Sequence, residues 1–178
     1  MTRVIPDAWM PLCKVSRVIL HHTGGANFPS SEDKQAYHFA IDRIGKAHRG
    51  DHSILDNIDC TDDDYAAHTR GLNTGSIGLA ICGMAGANRE PFAPGSYPIL
   101  AVQWNAAIIA AADLCRRYRI EPVPKTLLMH AEVAKVLGVA QHGKWDITIR
   151  SWKGPSEWEH LTPGNEMRAR VALLLSEE

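Results

Sequence analysis

Two histidines and a carboxylate, in three separate segments of the chain, are side chains of the kind that bind zinc. His21 ends the segment Val-Ile-Leu-His, His130 follows Leu-Leu-Met, and Asp146 follows Gly-Lys-Trp. A catalytic zinc ion takes three protein ligands and keeps one position for water. Residues two apart in an extended segment face the same way, so Lys144 is expected to point into the same site as Asp146. A metal ion beside a cation suits amide hydrolysis, because the metal activates water and the cation stabilises the oxyanion.

The spacing of these residues does not by itself define a metal site. The chain has no His-Glu-x-x-His motif, in which one helix presents two ligands. A hydrogen-bonded core residue is the alternative for each of the two histidines. His22 becomes the ligand in place of His21 if the register of its strand slips by one residue, and His142 is a competing ligand near Asp146.

Composition and charge exclude several classes of protein. The chain has 178 residues, 45% of them hydrophobic and 22% charged, as in a soluble globular domain with its own core. The net charge of −1 does not suggest a nucleic-acid or membrane surface, and no apolar run has the ~20 residues of a spanning helix. The N-terminal segment lacks the apolar region of a signal peptide. We expect a monomer made in the cytoplasm, with its four cysteines reduced.

Apolar patterns predict strands that alternate with helices. Strands are expected at 15–21, 37–43, 47–49, 76–82 and 126–129, with a hairpin turn before 47 and loops at 22–33 and 50–74. Helices are expected at 100–118 and from Thr162-Pro163 onward, where threonine caps and proline takes the first turn. The alternation predicts an α/β fold, a single domain over residues 1–178 with a central mixed sheet flanked by helices.

Five ordered segments resemble the zinc-dependent N-acetylmuramoyl-L-alanine amidases, and in particular their phage-endolysin branch. These segments are VILHHTGG, AYHFAIDRIG, AAHTRGLNTGSIGLAICG, MHAEV and GKWD, within residues 15–146. The resemblance implies one zinc amidase domain, with the fold that this family shares with the peptidoglycan recognition proteins. It also implies Zn²⁺ as the cofactor, bound by His21, His130 and Asp146.

The resemblance implies roles for further residues around the metal. Tyr37 is expected to orient the water or the oxyanion by hydrogen bonding, and Lys144 to stabilise the oxyanion together with zinc. His68, Asn73 and Ser76 are expected to border the substrate groove, with structural hydrogen bonding as the alternative for each. A further acidic residue, Glu132, either orients a ligand histidine or is a solvated helix residue.

The implied function is hydrolysis of peptidoglycan at the amide bond between N-acetylmuramic acid and L-alanine, by zinc-activated water. A phage or prophage endolysin is expected, acting at the cell wall after its release from the cytoplasm. The alternatives are a cytoplasmic muropeptide-recycling amidase, a non-catalytic peptidoglycan-binding domain, and a non-catalytic structural or regulatory protein with a vestigial site. Ala80 stands where the recycling branch has a catalytic glutamate, which favours cleavage of intact wall. Asp146 argues against a binding domain, which usually lacks the third ligand.

Two intervals depart from the family pattern. Only residues 22–36 lie between His21 and Tyr37, too few for the long helix that many relatives have there. Residues 131–145, between His130 and Asp146, form a longer connection than in compact relatives. We expect this connection to be a flexible insertion that leaves Asp146 mobile until zinc binds.

Overall fold

The computed structural model describes residues 3–152 and 157–177, with a mixed five-stranded sheet at the centre. The strands are β1 (Arg17–His22), β2 (Phe39–Ile41), β3 (Ala47–Arg49), β4 (Ser76–Ile81) and β5 (Leu127–Met129), in the order β3-β2-β4-β1-β5. Strand β1 lies between β4 and β5 and is parallel to both, β2 is parallel to β4, and β3 is antiparallel to β2. The carboxyl ends of β1 and β5 therefore lie side by side at one edge of the sheet.

Helices cover this sheet and complete the predicted α/β architecture. They are α1 (Ser31–Ala36), α2 (Ala101–Tyr118), α3 (Val133–Leu137) and α4 (Pro163–Ser176), with short 3₁₀ turns at Asp7–Trp9, Ile54–Asn57 and His130–Glu132. Helices α2 and α4 pack on each other, and they also contact β4 and β5 respectively. Within the ranges 3–152 and 157–177, no helix is long and apolar enough to cross a membrane.

The burial of β1 and β4 explains why both strands appear as continuous apolar runs in the sequence. All six residues of β4 and the four from Val18 to His21 in β1 are buried, as expected for parallel strands covered on both faces. Helix α4 begins as predicted, because the hydroxyl of Thr162 accepts a hydrogen bond from the Asn165 amide and Pro163 follows the cap. These elements confirm the predicted strands and the two predicted helices to within a few residues.

The prediction of a loop over residues 22–33 is wrong at its end, where α1 begins. Ser30 caps this helix by accepting a hydrogen bond from the Asp33 amide, and the Asp33 carboxylate accepts one from the Ser30 amide. This reciprocal pair is a capping box, which stabilises the first turn of a helix. The helix has only six residues before Tyr37, as expected for a connection too short for the long helix of many relatives.

Glu132 fixes the turn that carries His130 to helix α4. Its carboxylate accepts a hydrogen bond from the Met129 amide at 2.9 Å and pairs with both terminal nitrogens of Arg168, at 2.8 and 2.9 Å. Arg168 is 8% exposed, so this ion pair lies largely away from solvent. The structure therefore corrects both alternatives for Glu132: its carboxylate acts on His130 through the backbone turn and not through the ring, and it is paired with Arg168 rather than free in water.

His38, immediately before β2, is buried against β4. Its Nδ1 accepts a hydrogen bond from the Gly78 amide at 3.0 Å. His68 also packs against Gly78, since a Cβ added at Gly78 would lie 2.6 Å from Cγ of that ring. Burial is the main cause that lowers the pKa of His38 to about 3, so His38 is neutral in the folded protein at neutral pH.

We predict that Glu132→Ala destabilises the protein by about 2–4 kcal/mol, because it leaves the Arg168 guanidinium buried without its partner. Unfolding of the metal-free protein in urea measures this difference. Glu159→Ala, which removes an exposed glutamate, is the control and should stay within about 0.5 kcal/mol of wild type. An equally small effect of Glu132→Ala would contradict the structural role of this ion pair.

We also predict that the stability of the metal-free protein falls as the pH drops below about 6.5. His38 takes up a proton near that pH when unfolded, but only near pH 3 when folded. Between these values the unfolded state binds more protons, so each such histidine costs up to about 1.4 kcal/mol per pH unit. Denaturant unfolding at pH 7, 6 and 5 measures the slope. His38→Gln should give a shallower slope and the exposed His160→Gln an unchanged one; equal slopes in all three proteins would contradict this account.

Candidate metal centre

Three potential ligand atoms meet at the carboxyl edge of the sheet. His21 lies near the end of β1, His130 is the first residue after β5, and Asp146 comes from the loop that follows α3. The Nδ1 atoms of the two histidines are 3.0 Å apart, and each lies 3.2 Å from Oδ2 of Asp146. The three residues are 1%, 3% and 6% exposed, so the group is buried.

The size of this triangle fits a tetrahedral zinc ion. Zinc binds nitrogen and oxygen at about 2.0–2.2 Å, so neighbouring ligand atoms in a tetrahedral site are about 3.3 Å apart. The observed separations of 3.0–3.2 Å are close to this value. Two imidazole lone pairs and a carboxylate oxygen repel one another at such distances unless a proton or a metal cation lies between them. The donor set therefore fits a divalent metal ion.

Hydrogen bonds on the far side of each ring leave Nδ1 for the metal. Nε2 of His130 donates to the side-chain oxygen of Gln141 at 2.8 Å, so neutral His130 carries its proton there. Nε2 of His21 lies 3.2 Å from Nδ1 of His68 and 3.5 Å from the hydroxyl of Thr69. When His21 carries its proton on Nε2, His68 Nδ1 and the Thr69 hydroxyl are available to accept it. Nδ1 of His21 is then free to bind a metal.

Burial and charge set the protonation states that metal binding needs. Burial is the main cause that lowers the pKa of His21 to about 4, against the opposing effect of Asp146, so His21 is neutral at neutral pH. Burial alone would raise the pKa of Asp146, but the adjacent imidazoles of His130 and His21 hold it below its usual range. Neutral imidazole and ionised carboxylate are the forms in which such side chains bind zinc.

A pocket of about 340 Å³ opens onto this group and is lined by His130 and Asp146 together with Tyr37, His68 and Lys144. The structure thus brings together both predicted catalytic residues and the three predicted ligands, with His21 behind the pocket wall.

The ring of Tyr37 lies 5.1 Å from that of His21. Burial, and then the charge of Asp146, raise the pKa of Tyr37 above its ordinary value, so its hydroxyl stays protonated. The side chain of Lys144 is exposed at the rim.

Asn73 and Ser76, two of the three predicted groove residues, lie outside this pocket. Ser76 is fully buried, and its hydroxyl donates to the Leu72 carbonyl and accepts from Arg17 at 3.0 Å. The side-chain oxygen of Asn73 accepts from the Thr69 amide at 2.8 Å. These contacts favour the structural alternative for both residues, whereas His68 does line the pocket.

The other two histidines near the site do not join the triangle. His22 packs edge-to-face on Trp145, with 5.1 Å between ring centroids. The guanidinium of Arg70 lies 3.4 Å from Nε2 of His142, on the surface. The strand therefore has the register that directs His21 rather than His22 toward Asp146.

Sequence reasoning missed Gln141, the acceptor for His130. It is 6% exposed and lies within the apolar and glycine-bearing stretch before Asp146. A single amide in a loop gives no sequence signal of its own, because nothing in its spacing relates it to His130. The sequence did show a long interval between His130 and Asp146, which indicates that additional contacts are needed to hold that segment in place.

Comparison with known proteins identifies the family. A sequence profile described as N-acetylmuramoyl-L-alanine amidase matches residues 11–150. No curated protein sequence matches significantly. Among solved structures, the endolysin amidase LysCS from Clostridium intestinale has a TM-score of 0.53 at 16% identity, over 89% of this chain and 84% of that one. The amidase LysC from the same organism has a TM-score of 0.53 at 16% identity, over 97% and 93%.

The two structural matches show a shared fold, and they confirm the predicted α/β architecture. The profile covers well over half of the chain, including all three residues of the triangle. The chain therefore belongs to the N-acetylmuramoyl-L-alanine amidase family.

Proposed function

We propose that this protein is a zinc-dependent amidase that cleaves peptidoglycan between N-acetylmuramic acid and L-alanine. The observation that carries the proposal is the buried triangle of His21, His130 and Asp146, which adjoins a pocket containing Tyr37 and Lys144. Membership of the amidase family supports the reaction and its substrate. The donor set supports zinc, because two imidazoles, one carboxylate and an open position are typical of zinc hydrolases.

The residues of the pocket have complementary roles in this reaction. Zinc held by the triangle would supply a Lewis acid that lowers the pKa of bound water. Lys144 presents a cation on a long side chain at the pocket rim, where it can stabilise negative charge on the carbonyl oxygen of the substrate. Tyr37 keeps its proton at neutral pH, so its hydroxyl can donate a hydrogen bond to the attacked group.

The position beside His21 in the sheet supports cleavage of intact wall over recycling of fragments. Ala80 of β4 pairs in register with His21 and is fully buried. Ala80 has only a methyl group at the position where the resemblance places the catalytic glutamate of the recycling branch. Proton transfer in this protein would therefore rely on other groups. Two structural neighbours are amidases, and one of them is an endolysin. We therefore propose that the protein is an endolysin that acts at the cell wall after its release.

We predict that the purified protein binds one zinc ion per chain and clears a suspension of purified cell wall. A chelator should stop the clearing, and added zinc should restore it. Asp146→Ala should lose both zinc and activity, because only two of the three protein ligands remain to hold the ion. Elemental analysis and a turbidity assay measure these two quantities.

Glu121→Ala is the matched control, since it removes an exposed carboxylate outside the pocket and should keep zinc and activity. Clearing that persists in chelator and in Asp146→Ala would contradict the proposal. Retention on peptidoglycan without any cleavage would favour a binding domain. Exclusive cleavage of soluble anhydro-muropeptides would favour the recycling enzyme.

We predict that Lys144→Ala keeps its zinc and loses about 100- to 1000-fold in kcat, as when one group that stabilises an oxyanion is removed. Tyr37→Phe should also lower kcat at unchanged metal content, because it removes one hydrogen-bond donor and keeps the ring. Lys125→Ala removes an exposed lysine outside the pocket and should leave kcat unchanged. Full activity of Lys144→Ala would remove Lys144 from the mechanism.

A further inference from the structure

A buried glutamine, Gln141, lies between His130 of the candidate metal centre and the segment that contains Arg70. The side-chain nitrogen of Gln141 donates to the carbonyl oxygens of Arg70 at 3.0 Å and of Val139 at 3.4 Å. Both partners can only accept hydrogen bonds, so they fix which end of the amide is nitrogen. The amide oxygen is therefore directed at His130.

This oxygen controls which nitrogen of His130 is available to a metal. It accepts the proton of Nε2 at 2.8 Å, and an amide oxygen cannot donate in return. Neutral His130 then has its lone pair on Nδ1, the atom 3.2 Å from Asp146 Oδ2. Without Gln141, the Nε2 proton of a ring that is 3% exposed would lack this acceptor. The ring could then rotate or move its proton to Nδ1, and either change removes the lone pair from the triangle.

The same residue holds the connection that supplies the third ligand. The Lys144 amide donates to the Gln141 carbonyl at 3.2 Å, and the Ala131 amide donates to the Asp146 carbonyl at 2.8 Å. The connection after α3 is thus attached at Gln141 to the Arg70 segment and at Asp146 to the turn of His130. This anchoring contrasts with the expectation of a flexible insertion that is fixed only when zinc binds.

We propose that Gln141 is a positioning residue of the metal centre, which fixes the tautomer of His130 and attaches the connection bearing Lys144 and Asp146. The inference rests on the proposed zinc-dependent function. Groups that hydrogen-bond the outer nitrogen of a metal-binding histidine typically contribute 10- to 100-fold to metal affinity. In this chain the hydrogen-bonding group belongs to Gln141, which lies in the long interval between His130 and Asp146. That interval therefore has a defined role at the metal centre.

The test is the zinc dissociation constant, measured by competition with a chromogenic chelator. Gln141→Met keeps the length of the side chain but removes both ends of the amide, and we expect zinc binding to weaken about 10- to 100-fold. Gln141→Glu keeps an oxygen acceptor for His130 and should recover at least part of this loss. The absorption spectrum of the cobalt-substituted protein should change in Gln141→Met, because the ligand geometry changes.

Gln103→Met is the matched control for general destabilisation. Gln103 is buried as well, and it donates to the Cys82 carbonyl at 2.7 Å, away from the triangle. It should lose stability and keep its zinc affinity. Wild-type affinity in Gln141→Met would overturn the inference, as would an equal loss of affinity in Gln141→Met, Gln141→Glu and Gln103→Met. A wild-type protein that binds no zinc would instead contradict the proposed function itself.

Discussion

The structure depends on one electrostatic constraint, the close approach of three lone-pair atoms inside the protein. Nδ1 of His21, Nδ1 of His130 and Oδ2 of Asp146 lie within 3.2 Å of one another, where water cannot separate them. A divalent cation converts this repulsion into three favourable bonds. Without it, the fold must hold the group together by other contacts. Much of the surrounding structure can be understood as supplying those contacts.

Two kinds of contact hold the triangle. The backbone contribution is the parallel pairing of β1 with β5, which places His21 and His130 on neighbouring strand ends. The side-chain contribution lies outside the triangle: Glu132 attaches the turn of His130 to α4, and Gln141 attaches the last connection to the Arg70 segment. Both act through partly buried hydrogen bonds, which are costly to leave unmade. The site is therefore formed by the whole domain rather than by one motif.

The sequence predicted β1 and β4 well, because their burial on both faces leaves long apolar runs such as the one ending at His21. The choice of His21 over His22 came from the family resemblance, because alternation along a strand shows only that one of two neighbouring side chains faces the site. Helix α1 was missed although Ser30 and Asp33 form its capping box, because six residues are too few to show a period. The alternatives for Glu132 were wrong because its partner, Arg168, lies far along the chain. The contact of Ser76 with Arg17 and that of Gln141 with Arg70 are likewise tertiary, and no local pattern shows them.

The most direct measurement is the anomalous diffraction of a zinc-loaded crystal at the zinc absorption edge. The account predicts one strong peak within about 2.0–2.2 Å of His21 Nδ1, His130 Nδ1 and an Asp146 carboxylate oxygen, with the fourth position facing the pocket. A peak at another group of residues would contradict it. So would coordination of His130 through Nε2, the nitrogen that hydrogen-bonds to Gln141 in this structure.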